Sequence, residues 1–497
     1  MTPSPGLRLQ SFIGGRFTPG GDGGEEPIAD RNPSDPDDLI AEAPAGDAAA
    51  AGDAVAAAAA ALPAWRGATG PARGEHLHRW AAAIGARQEE IAQAMTREVG
   101  KPIAEARGEA ARCVAVLRYY AGEAVREIGE VIPAQAPGAL QLTLRQPLGV
   151  VALITPWNFP AAIPLWKAAP ALAFGNTVVL KPSEEAPHVA TLLAETAVAA
   201  GLPAGAFNVL LGDGAGAAEP LLREAGIAGV SFTGSAAVGA KVAAAAAARN
   251  LRYQTEMGGK NVAIVLADAD LDLAAALTAG GAMRYAGQKC TATSRVVVAR
   301  RVAEPFFARL RAQVEALPLG PVTDPAAAVG PLIRERSRSF VAAAVAAATG
   351  GGPGGAGQRA RVLCGGAPPA DPRFARGWFF APTVLAELPE DATAAREELF
   401  GPVLAAFEAD DLEQAIAIAN RTPFGLSASL FTRDLASALT YIQRIEAGLV
   451  RVNGDTTGVD PHAPFGGVKG SSSGSREQGR AARDFFTEIK TVQVHPA

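Results

Sequence analysis

The hydrophobic pattern of the chain changes character near residue 150. Residues 47–65 are almost all alanine, which on composition alone suits either a low-complexity linker or a helix. Helix is favoured, because alanine loses least entropy on entering one and an amphipathic stretch follows at 75–99. From Val150, short β-branched runs at 150–155, 177–180, 207–211 and 229–232 alternate with Ala/Leu-rich segments of helical length. Gly, Pro or Asn marks each junction. That alternation predicts βαβ units around a parallel sheet. A second set, 262–266, 294–299, 361–364 and 449–452, reads as strands with helices such as 271–284 and 411–419 between them, so two α/β domains in series are expected. The mostly glycine segment 349–358 predicts a flexible surface loop in the second. Residues 140–146 and 487–494 alternate apolar and polar side chains, which predicts antiparallel or edge strands outside both sheets, suited to an oligomerisation flap.

Composition narrows the class without changing this picture. At roughly 100–200 residues per domain, 497 residues make two or three domains. With 49% hydrophobic and 19% charged residues the chain lies in the ordinary globular range. A net charge of −5 lacks the basic footprint of a nucleic-acid binder. Three scattered cysteines form neither a disulfide framework nor a CxxC zinc pair, so a reducing, cytoplasmic setting and no metal are expected. The first ten residues carry two prolines and no apolar core of signal-peptide length. The alanine runs are interrupted by Asp, Lys, Pro or Arg, so no membrane span is expected either.

Candidate chemistry clusters where strands are predicted to end. Thr155, Pro156, Trp157 and Asn158 follow the first strand of the first sheet, Lys181, Ser183 and Glu184 the second, and Gly234 and Ser235 open an Ala-rich helix after a third. Ligands of open α/β sheets bind at such ends, and a helix start with a glycine and a hydroxyl suits a phosphate. The GxGxxG fingerprint is absent. Further on, Glu256 stands in Glu-Met-Gly-Gly-Lys and Cys290 in Gly-Gln-Lys-Cys. A lone cysteine is ordinarily a small buried hydrophobe and a lone Glu a solvated charge. Lys289 beside Cys290 predicts an electropositive setting and a lowered thiol pKa. The five histidines are scattered, so a Cys/Glu couple, with the carboxylate activating water, is favoured over a cysteine hydrolase.

Seven collinear motifs across nearly the whole chain resemble the NAD(P)-dependent aldehyde dehydrogenase superfamily. They begin at Pro156, Lys181, Phe232, Glu256, Gly287, Glu398 and Pro464. The resemblance implies a nucleotide-binding domain (1–127 and 148–255), a catalytic domain (256–474), and a bridging segment (128–147 and 475–497) supporting a homodimer or homotetramer. Cys290 becomes the nucleophile, and Asn158 with the Cys290 amide the oxyanion donors. Glu256 becomes the base for thioester hydrolysis. Lys181 and Glu184 would hold the adenosine ribose and Ser235 the pyrophosphate, with Ser183 and Gly234 also in the cofactor site. Glu398 with Phe400 would hold the nicotinamide ribose and ring, and Thr155, Pro156, Trp157 and Gly258 would also bind the cofactor. NAD is expected to be preferred over NADP, because a carboxylate at Glu184 repels a 2′-phosphate. Lys167 and Glu477 match a proton relay, or else form a plain surface ion pair.

Substrate choice falls on Arg284, six residues before Cys290, where the family lines its aldehyde tunnel, together with Trp166 and Phe465. A guanidinium there suits a carboxylate, so an ω-semialdehyde acid is expected, unless Arg284 pairs with a protein carboxylate. Trp166 stands where succinate semialdehyde enzymes typically carry a second Arg. Residues 287–295 and 458–466 are similar to the 2,5-dioxopentanoate (2-oxoglutarate semialdehyde) subgroup. Succinate semialdehyde and broad-range aldehyde oxidation are the alternatives within the family. A CoA-acylating enzyme generally lacks the Glu, and a non-catalytic structural descendant is expected to lose the Cys; both residues are present.

Overall fold

The computed structural model describes residues 6–19, 26–350, 359–389 and 391–496. Most of the glycine-rich segment 349–358 lies outside them. Two large sheets carry the fold. In the first, five parallel strands lie in the order Arg252–Glu256, Ile227–Thr233, Val150–Ile154, Thr177–Lys181, Phe207–Val209. Val150–Ile154 and Thr177–Lys181 are buried at every position, which is why they read as continuous apolar runs rather than alternating ones. The chain winds outward from Val150–Ile154 on one side and then crosses back to Ile227–Thr233 on the other. The crevice between those two strand ends is therefore the topological switch point at which such sheets bind ligands.

Three short antiparallel strands, unanticipated from the pattern, extend this sheet: Ser11–Ile13 and Arg16–Thr18 at one edge, and Ser472–Ser473 at the other. The second sheet has seven strands, Arg361–Cys364, Thr383–Ala386, Val403–Ala409, Arg295–Ala299, Val262–Val265, Ser427–Phe431 and Leu449–Val452, all parallel except the first. Three of them escape a periodicity reading because alanine and serine dominate strands such as Val403–Ala409 and Ser427–Phe431.

The alanine segment forms the helix Ala48–Gly67, capped by Asp47, whose carboxylate accepts from the Ala50 amide at 2.7 Å. By length and a hydropathy of 1.3 it meets the criterion for a membrane span, contrary to the expectation that its interruptions exclude one. Its buried face, Ala50, Ala51, Ala54, Val55 and Ala58, packs with Val150, Ala152 and Val179 of the first sheet. The amphipathic stretch 75–99 divides at Arg87, where the backbone leaves helical geometry, into Gly70–Ala86 and Gln88–Val99.

Thr487–Val494 pairs antiparallel with Leu140–Pro147 along its whole length. Val131–Ile132 takes the other side, so Leu140–Pro147 is a central strand rather than an edge. This third sheet stands apart from the other two and exposes Val131, Leu140, Leu144, Ile489 and Val494.

Candidate active site

Glu256 ends the strand Arg252–Glu256 of the first sheet, and five residues later the chain enters the second sheet at Asn261. Asn261 ties together segments of the second sheet: its Nδ2 donates to the carbonyls of Cys290 (2.7 Å) and Ala292 (2.8 Å), and its Oδ1 accepts from the Ser427 amide. Cys290 follows the helix Leu271–Met283 through three consecutive left-handed residues, Tyr285, Ala286 and Gly287. Left-handed geometry costs a non-glycine residue roughly 1–2 kcal/mol. Here Tyr285 is held in place by complete burial, and a Cβ on Gly287 would lie 2.4 Å from the Gly401 carbonyl. The turn thus aims the Cys290 segment across the gap toward the first sheet.

An open crevice of about 960 Å³ runs along the switch point. Its lining includes Pro156, Trp157, Asn158, Gly234, Ser235, Gly258, Cys290, Glu398 and Phe400, so the crevice gathers nine of the nineteen residues singled out from the sequence. Thr155 lies beneath it with a buried, unpartnered hydroxyl. Lys181, Ser183 and Glu184 stand at the neighbouring strand end, where Lys181 Nζ lies 3.3 Å from Glu184 Oε2. Ser235 caps the helix Ala236–Ala248 through the Val238 amide.

The crevice suits a dinucleotide on its own geometry. The buried hydroxyls of Thr155 and Thr233 lack partners. A Cβ on Gly258 would fall 1.7 Å from a Glu398 carboxylate oxygen, and one on Gly234 would meet the Phe232 ring at 2.5 Å. Glu398 accepts from the Gly259 amide at 3.1 Å, and burial pushes its carboxyl up to about 7. Phe400 meets Trp157 edge-on with ring centroids 5.6 Å apart.

Asn158 is held from both ends. Its side-chain amide donates to the Gln288 carbonyl at 3.0 Å, leaving a second N–H, and its own carbonyl accepts from Lys101 Nζ at 2.7 Å. Lys101 forms a fully buried ion pair with Glu109 and lies 3.9 Å over the Phe159 ring. Glu109 also accepts from the Ala161 and Ala162 amides at the start of the helix Ala162–Ala173. Neither residue was legible in the sequence, where both look like ordinary charges of a helical region.

Glu256 is 1% exposed. Its Oε2 accepts from Ser472 Oγ at 2.5 Å, while Oε1 is unpartnered and would meet any Cβ on Gly466, whose φ is +145°, at 2.6 Å. Burial and the nearby Glu477 push its carboxyl well above the usual range. Lys167 and Glu477 are 1% exposed each, which rules out the surface-pair reading. Lys167 Nζ binds Glu477 and donates to Ser231 Oγ at 2.7 Å, and Trp166 Nε1 donates to the other Glu477 oxygen at 2.8 Å. Phe465 pairs with Glu477 in an isolated bridge and lies 5.5 Å from Trp166, centroid to centroid. It belongs to the apolar cluster against which Cys290 packs.

Two expectations fail here. Lys289 pairs with Glu105 at 2.7 Å rather than lending charge to the thiol. Burial and the carboxylates of Glu398 and Glu256 instead push the Cys290 thiol up, far above the usual cysteine range. Arg284 is exposed, with its Nε 3.6 Å from where a Cβ on Gly280 would lie, and it does not line the Cys290 crevice. It forms no ion pair among the described residues.

The raised thiol has a direct readout. With no cofactor present, alkylation of Cys290 by iodoacetamide is expected to climb with pH without levelling through pH about 9, because thiolate forms only as pH approaches the elevated pKa. A plateau near neutrality, followed by mass spectrometry at Cys290, would contradict the carboxylate-dominated environment.

A nucleotide crevice at the switch point of such a fold, with a cysteine, an amide and buried carboxylates close by, is the layout of an NAD(P)-dependent oxidoreductase. Residues 20–492 match the model of the aldehyde dehydrogenase family, and the chain belongs to that family. It is 43% identical to the alpha-ketoglutaric semialdehyde dehydrogenase of Bacillus subtilis (strain 168), over 98% of both chains. It is 41% identical to the alpha-ketoglutarate semialdehyde dehydrogenase of Haloferax volcanii, over 93% of this chain and 94% of that one. Among solved structures, the NAD-dependent aldehyde dehydrogenase of Sinorhizobium meliloti superposes with a TM-score of 0.93 at 36% identity, covering 100% of this chain and 98% of that one.

Proposed function

We propose that this aldehyde dehydrogenase oxidises an ω-semialdehyde acid, 2,5-dioxopentanoate foremost, to the dicarboxylic acid, with NAD preferred over NADP. The observation that carries the substrate is the 43% identity, over nearly all of both chains, to a relative named for that semialdehyde. The geometry supports the reaction. The Cys290 thiol gives its proton to solvent water as its Sγ adds to the aldehyde carbon, and the oxygen, as it becomes anionic, receives the free N–H of Asn158 and the Cys290 amide, which makes no hydrogen bond among the described residues. Such donors are worth roughly 2.7–4 kcal/mol of barrier each.

Bound NAD(P) supplies the acceptor for the hydride that leaves the former aldehyde carbon, which becomes the carbonyl of a Cys290 thioester. Pro156, Trp157, Gly234, Ser235, Gly258, Glu398 and Phe400 would line its crevice, with Lys181, Ser183 and Glu184 at the ribose end. Glu256 takes a proton from water as the water attacks the thioester. The acid leaves, the departing Cys290 sulfur takes a proton back from solvent to restore the thiol, and Lys167 with Glu477 passes on the proton held by Glu256. The presence of Glu256 favours water over CoA as the acyl acceptor.

The chain is read as three parts: 1–127 with 148–255, 256–474, and 128–147 with 475–497. Ser472–Ser473 reaches from the second part to the first sheet. The exposed apolar side chains of the third sheet support a homodimer or homotetramer, and the cysteine usage supports a cytoplasmic setting.

The test is a panel of aldehydes with and without a terminal carboxylate, followed by the near-ultraviolet absorbance of reduced nicotinamide with NAD or NADP, with and without CoA. 2,5-dioxopentanoate is expected to exceed length-matched neutral aldehydes in kcat/KM by at least about tenfold, or about 1.4 kcal/mol, with no requirement for CoA. NAD should exceed NADP. Equal use of neutral aldehydes would make the protein a broad-range enzyme, succinate semialdehyde in first place would reassign the substrate, and equal kcat/KM for the two nucleotides would remove the role of Glu184.

A further inference from the structure

Arg112 lies on the helix Ile103–Glu123, half-buried, with its guanidinium carbon 5.9 Å from the centre of the Trp166 ring. Trp166 faces Phe465, and Phe465 packs in the cluster that receives Cys290. Guanidinium, indole, phenyl ring and thiol therefore follow one another as successive neighbours. The hydrogen bond it makes is to an amide, Nη2 donating to Gln478 Oε1 at 3.0 Å.

Among the described residues no carboxylate comes within ion-pair distance of Arg112. Asp460 and Glu109 act on it only at longer range, and burial lowers its pKa from the usual arginine value. Of the acids that act on it, Glu109 is committed to Lys101 and two backbone amides, and Asp460 is exposed, 4.0 Å from His462 Nε2; neighbouring Glu477 is taken by Lys167 and Trp166. The amide nitrogen of Gln478 is also buried and without an acceptor. A cation that has given up water without receiving an anion from its own chain is an unfavourable arrangement unless a ligand completes it.

Resting on the semialdehyde reading above, we propose that Arg112 binds the distal carboxylate of the substrate, whose carbon chain lies along Trp166 and Phe465 while its aldehyde carbon meets Cys290. Arg284, exposed and hydrated, adds only screened attraction at a distance. The fork of a guanidinium donates two parallel hydrogen bonds to a carboxylate, which a lysine ammonium cannot reproduce.

The test compares kcat/KM for 2,5-dioxopentanoate and for a neutral aldehyde of the same length in the unsubstituted enzyme, Arg112→Met, Arg112→Lys and Arg284→Leu. Arg112→Met is expected to lose at least about 30-fold on the anionic substrate, chiefly through KM, and no more than about threefold on the neutral one. Arg112→Lys should fall between, and Arg284→Leu should change neither by more than about threefold. Independently of turnover, glutarate, which carries carboxylates but no aldehyde, should slow alkylation of Cys290 in the unsubstituted protein and in Arg284→Leu, but not in Arg112→Met.

Parallel losses on both substrates, or retained glutarate protection in Arg112→Met, overturn the carboxylate role. A selective loss in Arg284→Leu moves that role to Arg284. An unsubstituted enzyme indifferent to the carboxylate overturns the semialdehyde reading itself. Discrimination that survives in Arg112→Met overturns only the assignment of Arg112.

Discussion

Cys290→Ala is expected to abolish oxidation of every aldehyde, anionic or neutral, while NAD still binds. The covalent step has no substitute: Cys113 is fully buried in the helical core, and Cys364 is at the far edge of the second sheet. The crevice, by contrast, is lined largely by other residues, among them Trp157, Ser235, Gly258 and Phe400. Loss of a methyl-sized thiol from a half-buried position leaves the Asn261 bond to the residue-290 carbonyl intact, because that bond is to the backbone. Activity should therefore fall below detection, and quenching of Trp157 fluorescence by NAD should persist with an unchanged midpoint. Residual turnover above about one part in a thousand would remove the nucleophile assignment; loss of both activity and binding would mean that the substitution disturbs the Gly287 turn.

Glu256→Gln should separate the two halves of the reaction. The amide is isosteric and can still accept from Ser472 Oγ, so the pocket framed by Gly466 should keep its shape. Formation of the thioester does not require a base at this position, whereas its hydrolysis does. Rapid mixing should show a burst of reduced nicotinamide close to one equivalent per site, then a steady state slower by about 10²–10⁴-fold. The burst should not be slower than in the unsubstituted enzyme, because Glu256 is one of the carboxylates that push the thiol up, and neutralising it favours the thiolate. Mass spectrometry of the stalled protein should find the acyl group on Cys290. Absence of a burst would place Glu256 before hydride transfer, and undiminished turnover would make it dispensable.

The strands that build the crevice were readable because parallel strands buried on both faces must be continuous apolar runs, and Val150–Ile154 and Thr177–Lys181 are such runs. The positions of Glu256 and Asn158 were readable for a related reason: a strand end is the place where a polar side chain can face a ligand rather than the core. Residue type and local spacing thus determined the fold class and the place of the switch-point site, while the roles proposed for Cys290, Glu256 and Asn158 rest on the resemblance of their motifs to the aldehyde dehydrogenase family.

Tertiary structure alone decided their electrical surroundings. Lys289, adjacent to Cys290 in the chain, is claimed by Glu105, 184 residues away. The thiol instead faces carboxylates from Glu256 and Glu398, so the expected downward shift becomes an upward one. Lys167 and Glu477, 310 residues apart, meet in a buried pair. Arg284, well placed by sequence spacing, turns outward, while Arg112, which spacing did not single out, lies over Trp166. The reason is common to all four: hydrophobic periodicity is a local property that each segment carries by itself, whereas desolvation and Coulomb energy depend on which distant charges the packed sheets bring within a few ångströms.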